Sequence, residues 1–448
     1  MTHTTLWLAQ IQFFSAFGFM LLFLVLEFGL AWALLYFRIM AMRAHAPAGW
    51  LAAYRFWVRV FALAFGLSFA AGLPVLIQLG SVWPHLLGKV GDVAGPLLAA
   101  IILSTFVFKS CFLGPMLFGA RRLSDAAHAL AVFLVAVGSS LSSFFVVALV
   151  SWMHTPSGAV LINGQYVVTH LRQVVFNPAL PWYATLFVAL SLLMSAFLML
   201  AVSAGQGLRN RAGDTYAPVF RTALLMAVAG AVLHVFALGG TAQLAALYQP
   251  AKAAALAAYW ETGASPDVLL FGWPDASASV NRFGWVWPGG GASWLPVDGD
   301  GNWRGLDQFS GMTPPVALTF WSFRLALLVG VAMGLVALWL AFRMRRKAYD
   351  PSLLPARWHT MLKVMLLAGI LMVLATMASL QFGLFPYVVH ETITLSEVVV
   401  SVVSPWMLLA TNLLFWAVYA GLLAGFVYLV RYVARYGVIP VTRRRRRA

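Results

Sequence analysis

Apolar positions in this chain do not alternate with polar ones, and they seldom pause long enough to mark one face of a soluble helix. They fill nine long runs, at about residues 11–36, 56–81, 93–118, 126–152, 181–203, 219–245, 314–342, 359–380 and 405–432. A hydrocarbon core of about 30 Å takes about 20 apolar residues rising about 1.5 Å each. Every run meets that length and is predicted to be a membrane-spanning helix. The expected fold class is all-α: a polytopic membrane helical bundle of about nine transmembrane helices, with residues 1–448 forming a single membrane domain.

The polar positions between the runs set the direction of the chain. Connections after the first, third, fifth and seventh runs carry Arg38 and Arg43, Arg121 and Arg122, Arg209 and Arg211, then Arg343, Arg345, Arg346 and Lys347. The chain closes on Arg443 to Arg447, and the remaining connections are poor in Lys and Arg. This alternation is expected to place the N-terminus outside and the C-terminus in the cytoplasm. The arginine tail reads first as a topology signal. It would also attract anionic membrane lipid, at about 1 kcal/mol per residue. The one long connection, 246–313 on the outer side, is rich in Trp, Gly, Pro and Asp. A connection of that length has a binding role or forms an irregular cap on the outer leaflet.

Composition agrees with this picture. The chain is 62% hydrophobic and 9% charged, with a mean hydropathy of +0.87. A net charge of +16 would suit a nucleic-acid binder, but the arginines gather at the ends of apolar runs, so nucleic acid is not expected as a partner. The single cysteine, Cys111, excludes an internal disulfide framework and a multi-cysteine metal site. The start, MTHTTLWLAQ, has no basic region and reads as leading into a retained first span. No phosphate-binding loop, HExxH motif or serine-nucleophile constellation appears. The Gly114–Gly119 spacing suggests close helix packing.

Two charges lie inside spans. Lys109 falls near the middle of GPLLAAIILSTFVFKSCFLGPMLFGARRL (Gly95 to Leu123), and Glu27 lies at a similar depth in the first run. A lysine at the bilayer centre costs about 2.5–3.5 kcal/mol. The two are expected to pair; the alternative is that each reaches a separate polar neighbour or the interface. His234 is the one histidine well inside a span and reads as a helix-contact residue. Other histidines, His154 among them, fall near span ends.

Motifs along the whole chain resemble subunit I of the cytochrome bd quinol oxidases. They are QLGSVW (Gln78 to Trp83), GPLLA (Gly95 to Ala99), FLGPMLFG (Phe112 to Gly119), SWMHTPSG (Ser151 to Gly158), FNP (Phe176 to Pro178), QPAKAAALAAYWET (Gln249 to Thr262), LFGWPD (Leu270 to Asp275) and PPVALTFWSFR (Pro314 to Arg324). The resemblance implies a subunit with two b-type haems and one d- or b-type haem. It would oxidise quinol at the outer face and reduce dioxygen in a respiratory chain. The connection 246–313 would be the quinol-binding loop. Lys252 matches a residue implicated in quinol binding, whereas the glutamate that follows it in the family falls on Ala257. Glu261 is the nearest carboxylate left in that motif.

The family's haem ligands match poorly. The first-span histidine falls on Met20, the two third-span glutamates on Ile101 and Lys109, the fifth-span histidine on Leu186 and its methionine partner on Ala326. Haem iron takes His, Met, Cys or Tyr, and in this family also a carboxylate, so only Met20, His390 and Glu391 remain as candidate haem or metal ligands. Arg324 matches the arginine near the low-spin haem propionates. Haem is therefore expected in reduced number or not at all. The leading expectation is an accessory or scaffold paralogue that pairs with a haem-bearing cytochrome bd-type subunit. A catalytic quinol oxidase subunit with a revised haem set is the second. A small-molecule or proton pathway through vacated haem cavities is the third, and it requires polar volume around Glu27, Lys109 and Arg324 where a scaffold would be filled.

Overall fold

The computed structural model describes residues 3–436 apart from 46, 211, 212, 293, 310 and 400–403. Arg211 and the arginine tail lie outside the described residues. In order, the helices are α1 (His3–Arg43), α2 (Ala48–Ser81), α3 (Pro84–Ser104) and α4 (Cys111–Phe118). A π-helical turn (Thr105–Ser110) joins α3 to α4 in one span. Then follow α5 (Asp125–His154), α6 (Leu171–Val175), α7 (Leu180–Asn210), α8 (Gly213–Tyr248), α9 (Pro250–Ala257), α10 (Val316–Met344), α11 (Ala356–Phe382) and α12 (Pro405–Tyr436). Among the described residues nine helices are long and apolar enough to cross a membrane. Each contains or overlaps one expected run, and most extend beyond it.

The bundle is organised around α1 and α7, whose most apolar windows are each 78% buried, against 17% for α12. The central two are largely covered, whereas α12 sits at the margin with Trp406, Met407 and Leu414 turned outward. In a bilayer such apolar surface meets acyl chains and needs no further cover. Local signals set several helix starts. Ser124 caps α5 by accepting the Ala127 N–H at 3.3 Å, and Pro84 and Pro250 open α3 and α9 where a missing N–H costs nothing.

Connections after the second, fourth, sixth and eighth spans share one end of the bundle. Three antiparallel hairpins lie there: β1 (Ala159–Ile162) with β2 (Gln165–Val168), β3 (Val268–Asp275) with β4 (Val280–Trp287), and β5 (Tyr387–Val389) with β6 (Ile393–Thr394). The long connection is thus partly regular, with a helix and a hairpin where an irregular cap was one expectation. The first hairpin turns through Asn163-Gly164, both at positive φ, as a two-residue hairpin demands. The loops dock on one another: Tyr166 Oη bonds Thr392 Oγ1 at 2.7 Å, and Lys89 Nζ meets Glu397 Oε2 at 2.5 Å. At the opposite end Arg38 pairs with Asp125. Of the Gly114–Gly119 pair only Gly119 is closely packed, a Cβ there lying 3.2 Å from the His128 ring on α5, whereas a Cβ at Gly114 would meet nothing within 4 Å.

Candidate functional site

Lys109 belongs to the π-helical turn, where the Cys111 N–H reaches back to the Phe106 carbonyl. Its Nζ lies 3.0 Å from Glu27 Oε1 on α1. Ser139 on α5 donates to the same oxygen at 2.9 Å, and Ser68 on α2 donates to Oε2 at 2.5 Å. The ammonium also stands 5.3 Å from the Phe65 ring centroid. Glu27 is fully buried, and Lys109 nearly so. Gly138 on α5 makes the room, since a Cβ there would come within 2.9 Å of Lys109 Cγ. Paired charges and directed hydroxyls therefore fill this position.

Of the five positions matched to haem ligands, Lys109 and Ala326 are taken up by contacts within the chain, and the other three border cavities. Met20 and Ile101 line an apolar cavity of about 200 Å³ between α1, α2, α3, α5 and the segment after α11. Leu186 borders a smaller space of about 70 Å³. Sites for drug-sized ligands hold about 300–1,000 Å³, and haem is larger than most such ligands. At Ala326 the structure has installed a different contact. His234 Nε2 donates to the Ala326 carbonyl at 3.1 Å, and Gly330 leaves space for the ring. The His234 imidazole thus occupies the ground beside Ala326. Neither cavity is lined by His390 or Glu391. Of the candidate ligands only the Met20 thioether faces a void. This donor set and these volumes do not fit haem. Among the described residues no three His, Cys, Asp or Glu side chains gather to hold a metal ion.

Arg324 on α10 ties the long loop to the bundle. Nε donates to the Leu270 carbonyl at 2.7 Å, Nη1 to Leu256 at 2.8 Å and Phe320 at 3.2 Å, and Nη2 to Leu269. The guanidinium carbon sits 3.4 Å from the Phe320 ring centroid. All four of its acceptors are backbone carbonyls.

Lys252 and Glu261 are not brought together. Lys252 is buried in α9, while Glu261 lies exposed beyond the left-handed residue Ala258 that ends that helix. Lys252 instead shares the loop end with His154 and His390, each within electrostatic reach of the others. Its stem packs on Gly383, where a Cβ would lie 2.7 Å from Cε. Burial alone pushes its amine down to about 7. His154 and Gln249 were not singled out from the sequence as site residues. Gln249 Nε2 donates to the His154 carbonyl at 2.8 Å and to His154 Nδ1 at 3.0 Å. A carbonyl only accepts, so the amide orientation is fixed and neutral His154 carries its proton on Nε2. His390 donates to the Tyr248 carbonyl, which leaves Nε2 as an acceptor 3.6 Å from Glu391 Oε1. Burial holds His390 below the usual imidazole range against the pull of Glu391. The Nε2 atoms of His154 and His390 are both buried without a hydrogen-bond partner.

A nine-span bundle with docked hairpins at one end and a long loop before the seventh span defines a class of respiratory membrane subunit. The sequence profile described as "Cytochrome bd terminal oxidase subunit I" matches residues 8–438, and the chain belongs to that family. It is similar to subunit 1 of cytochrome bd-II ubiquinol oxidase from Escherichia coli (strain K12), 32% identical over 51% of this chain and 45% of that protein, so this match spans about half of the relative. It is 28% identical to cytochrome bd ubiquinol oxidase subunit 1 of Bacillus subtilis (strain 168), over 81% of this chain and 78% of the relative. It is 26% identical to a putative cytochrome bd menaquinol oxidase subunit I of the same organism, over 96% of both chains. The bd oxidase structure from Geobacillus thermodenitrificans shares the fold, with a TM-score of 0.84 at 20% identity over 97% of this chain and 99% of that one.

Three outcomes are expected. Lys109→Met leaves Glu27 buried and uncompensated and should cost about 3–5 kcal/mol. Glu27→Gln should also destabilise. The double substitution should do little worse than either alone, with a coupling of about 0.5–3 kcal/mol in a detergent-unfolding titration. Arg324→Gln should free the loop and speed its cleavage by added protease at least ~10-fold, the effect of about 1.4 kcal/mol of lost holding energy. Lys252→Met should raise the melting temperature. The folded-state pKa of Lys252, about 7, lies below its ordinary value, so the unfolded chain binds the extra proton and parent stability climbs as pH rises from about 7 towards 10.5. The gain should be larger at pH 6 than at pH 9.

Proposed function

We propose that this chain is a non-catalytic scaffold subunit of a cytochrome bd-type quinol oxidase complex, paired in the membrane with a haem-bearing subunit of similar fold. The observation that carries this reading is that two of the matched ligand positions are filled by the chain's own side chains. The Glu27–Lys109 pair stands at one and the His234–Ala326 contact at another. Leu186 and Ala326 are almost without exposure. The family relationship supplies the respiratory setting. The arginine-bearing end then faces the cytoplasm and the hairpin end faces outward, with residues 1–448 acting as one membrane domain.

A second reading concerns the loop 246–313. Lys252 and the His154 and His390 imidazoles present unpaired polar atoms at one buried place, which suits recognition of a quinol headgroup without turnover. Ala257 supplies no carboxylate there, and Glu261 points elsewhere. The cluster is sealed in this conformation, so the loop would have to open for a quinol to enter.

A haem assay with a reduced-minus-oxidised spectrum tests the leading reading on the purified chain, alone and co-expressed with its haem-bearing partner. The expected result is no haem in the isolated chain and haem only in the complex. Stoichiometric haem in the isolated chain would overturn the scaffold reading in favour of a catalytic subunit using Met20, His390 or Glu391. The apolar lining of the cavities at the matched positions also disfavours the third expectation, a polar pathway.

A further inference from the structure

Every residue of β4, from Val280 to Trp287, is exposed, so neither face of that strand is covered by the chain. Trp273 on β3 and Phe283, Trp285 and Trp287 on β4 are exposed by 57%, 95%, 68% and 52%. Aromatic side chains carry about 150–250 Å² each, so these four leave about 500 Å² uncovered. That matches the largest apolar patch of a typical soluble monomer, about 300–600 Å². An exposed edge strand in water is ordinarily guarded by charge. Here Asp275 and Arg282 are the charged residues of the hairpin, and they pair with each other at 2.5 Å. The hairpin is thus aromatic, without net charge, and open along β4.

Its root sits at the edge of the membrane. Arg343 marks the far end of the α10 span. About 20 residues rising about 1.5 Å each cross the hydrocarbon core, so counting back from Arg343 puts the near boundary beside Trp321 and Phe323. The Phe271 ring on β3 lies 6.4 Å from the Trp321 ring, centroid to centroid. Arg324 holds the Leu269 and Leu270 carbonyls of the same strand. The hairpin therefore starts at the level where acyl chains give way to headgroups. Indoles favour that level, with the ring in hydrocarbon and the N–H at the polar boundary. Lipid surrounds both faces of an immersed strand pair, whereas a docked protein would cover one.

We propose that the β3–β4 hairpin is an interfacial anchor whose partner is the lipid surface at this end of the bundle. Trp273, Phe283, Trp285 and Trp287 lie in the layer between acyl chains and headgroups. The internal Asp275–Arg282 pair leaves no net charge to select a headgroup, so zwitterionic lipid suffices. Asn281 Nδ2 donates to the Ala258 carbonyl at 2.9 Å, and Arg324 Nη1 holds the Leu256 carbonyl. The lipid contact thereby also sets the position of α9 against the bilayer.

The test uses the full chain carrying Cys111→Ser, which removes its single cysteine, in nanodiscs of phosphatidylcholine. Phe283→Cys and Trp285→Cys are added one at a time, so one remains informative where the other fails to fold. Asp300→Cys, in an exposed acidic turn, is the solvated reference. Both hairpin positions should react with a charged maleimide at least ~10-fold more slowly than the reference, because the charge resists entry into an apolar layer. A fluorophore attached at either position through an uncharged maleimide should be quenched by lipid bearing a nitroxide high on its acyl chain. Reaction as fast as the reference in either folded variant would overturn the proposal. So would slow reaction without quenching by lipid, which would place protein over the hairpin. The anchor requires neither haem nor a partner subunit, so its failure leaves the haem assay and the scaffold reading untouched.

Discussion

A carboxylate without solvent contact in the interior of a membrane bundle must be answered by the protein, because the bilayer offers nothing. Glu27 is answered from three sides. Lys109 supplies charge, and Ser68 and Ser139 supply hydroxyl donors, so α1, α2, the π-helical turn and α5 all converge on two oxygens. A register shift of any of these helices would strand one buried charge or donor. The π-helical turn carries Lys109, and Gly138 removes a Cβ from its path. Such a cluster specifies the arrangement of four segments more sharply than apolar packing does, since methyl groups tolerate sliding and paired charges do not.

The same logic extends to the haem-free reading of the core. A haem-binding bundle must hold its donors around a space that the group fills. Here the space beside Leu186 is only about 70 Å³, and an imidazole stands beside Ala326. His234 meets a backbone carbonyl on a neighbouring helix, which ties α8 to α10 by a directed bond. On the scaffold reading, a protein contact stands here in place of a cofactor contact.

The spans were legible because about 20 consecutive apolar residues have few other destinations. The Glu27–Lys109 contact was legible for a simpler reason: two opposite charges at equal depth in spans running the same way have strong cause to meet. What the sequence hid was lateral and local. His154 sits at the last residue of α5 and looked like a loop histidine, yet Gln249, distant in sequence, folds over it and buries it. Lys252 and Glu261 belong to one sequence motif, but Lys252 is buried in α9 while Glu261 lies exposed beyond the left-handed residue Ala258. The Asn163-Gly164 turn was readable as a hairpin signal in principle. The short strands around it are hard to separate from irregular loop by periodicity.

Two buried cations at the loop end distinguish structural from functional burial. Arg324 directs its N–H groups to four carbonyls and lays its face on Phe320, so its burial is met by contacts of the loop and its own helix. Lys252 is buried as deeply, lacks such a set of acceptors, and has its amine pushed to about 7 by burial. A fold does not need that lysine, and packing alone would favour methionine or leucine in its place. A buried amine poised near neutrality beside two imidazoles with free Nε2 atoms is the pattern expected where a site is kept for something that arrives from outside the chain. Holding the loop and keeping the site are thus divided between two residues, with Arg324 fixing the frame in which Lys252 is presented.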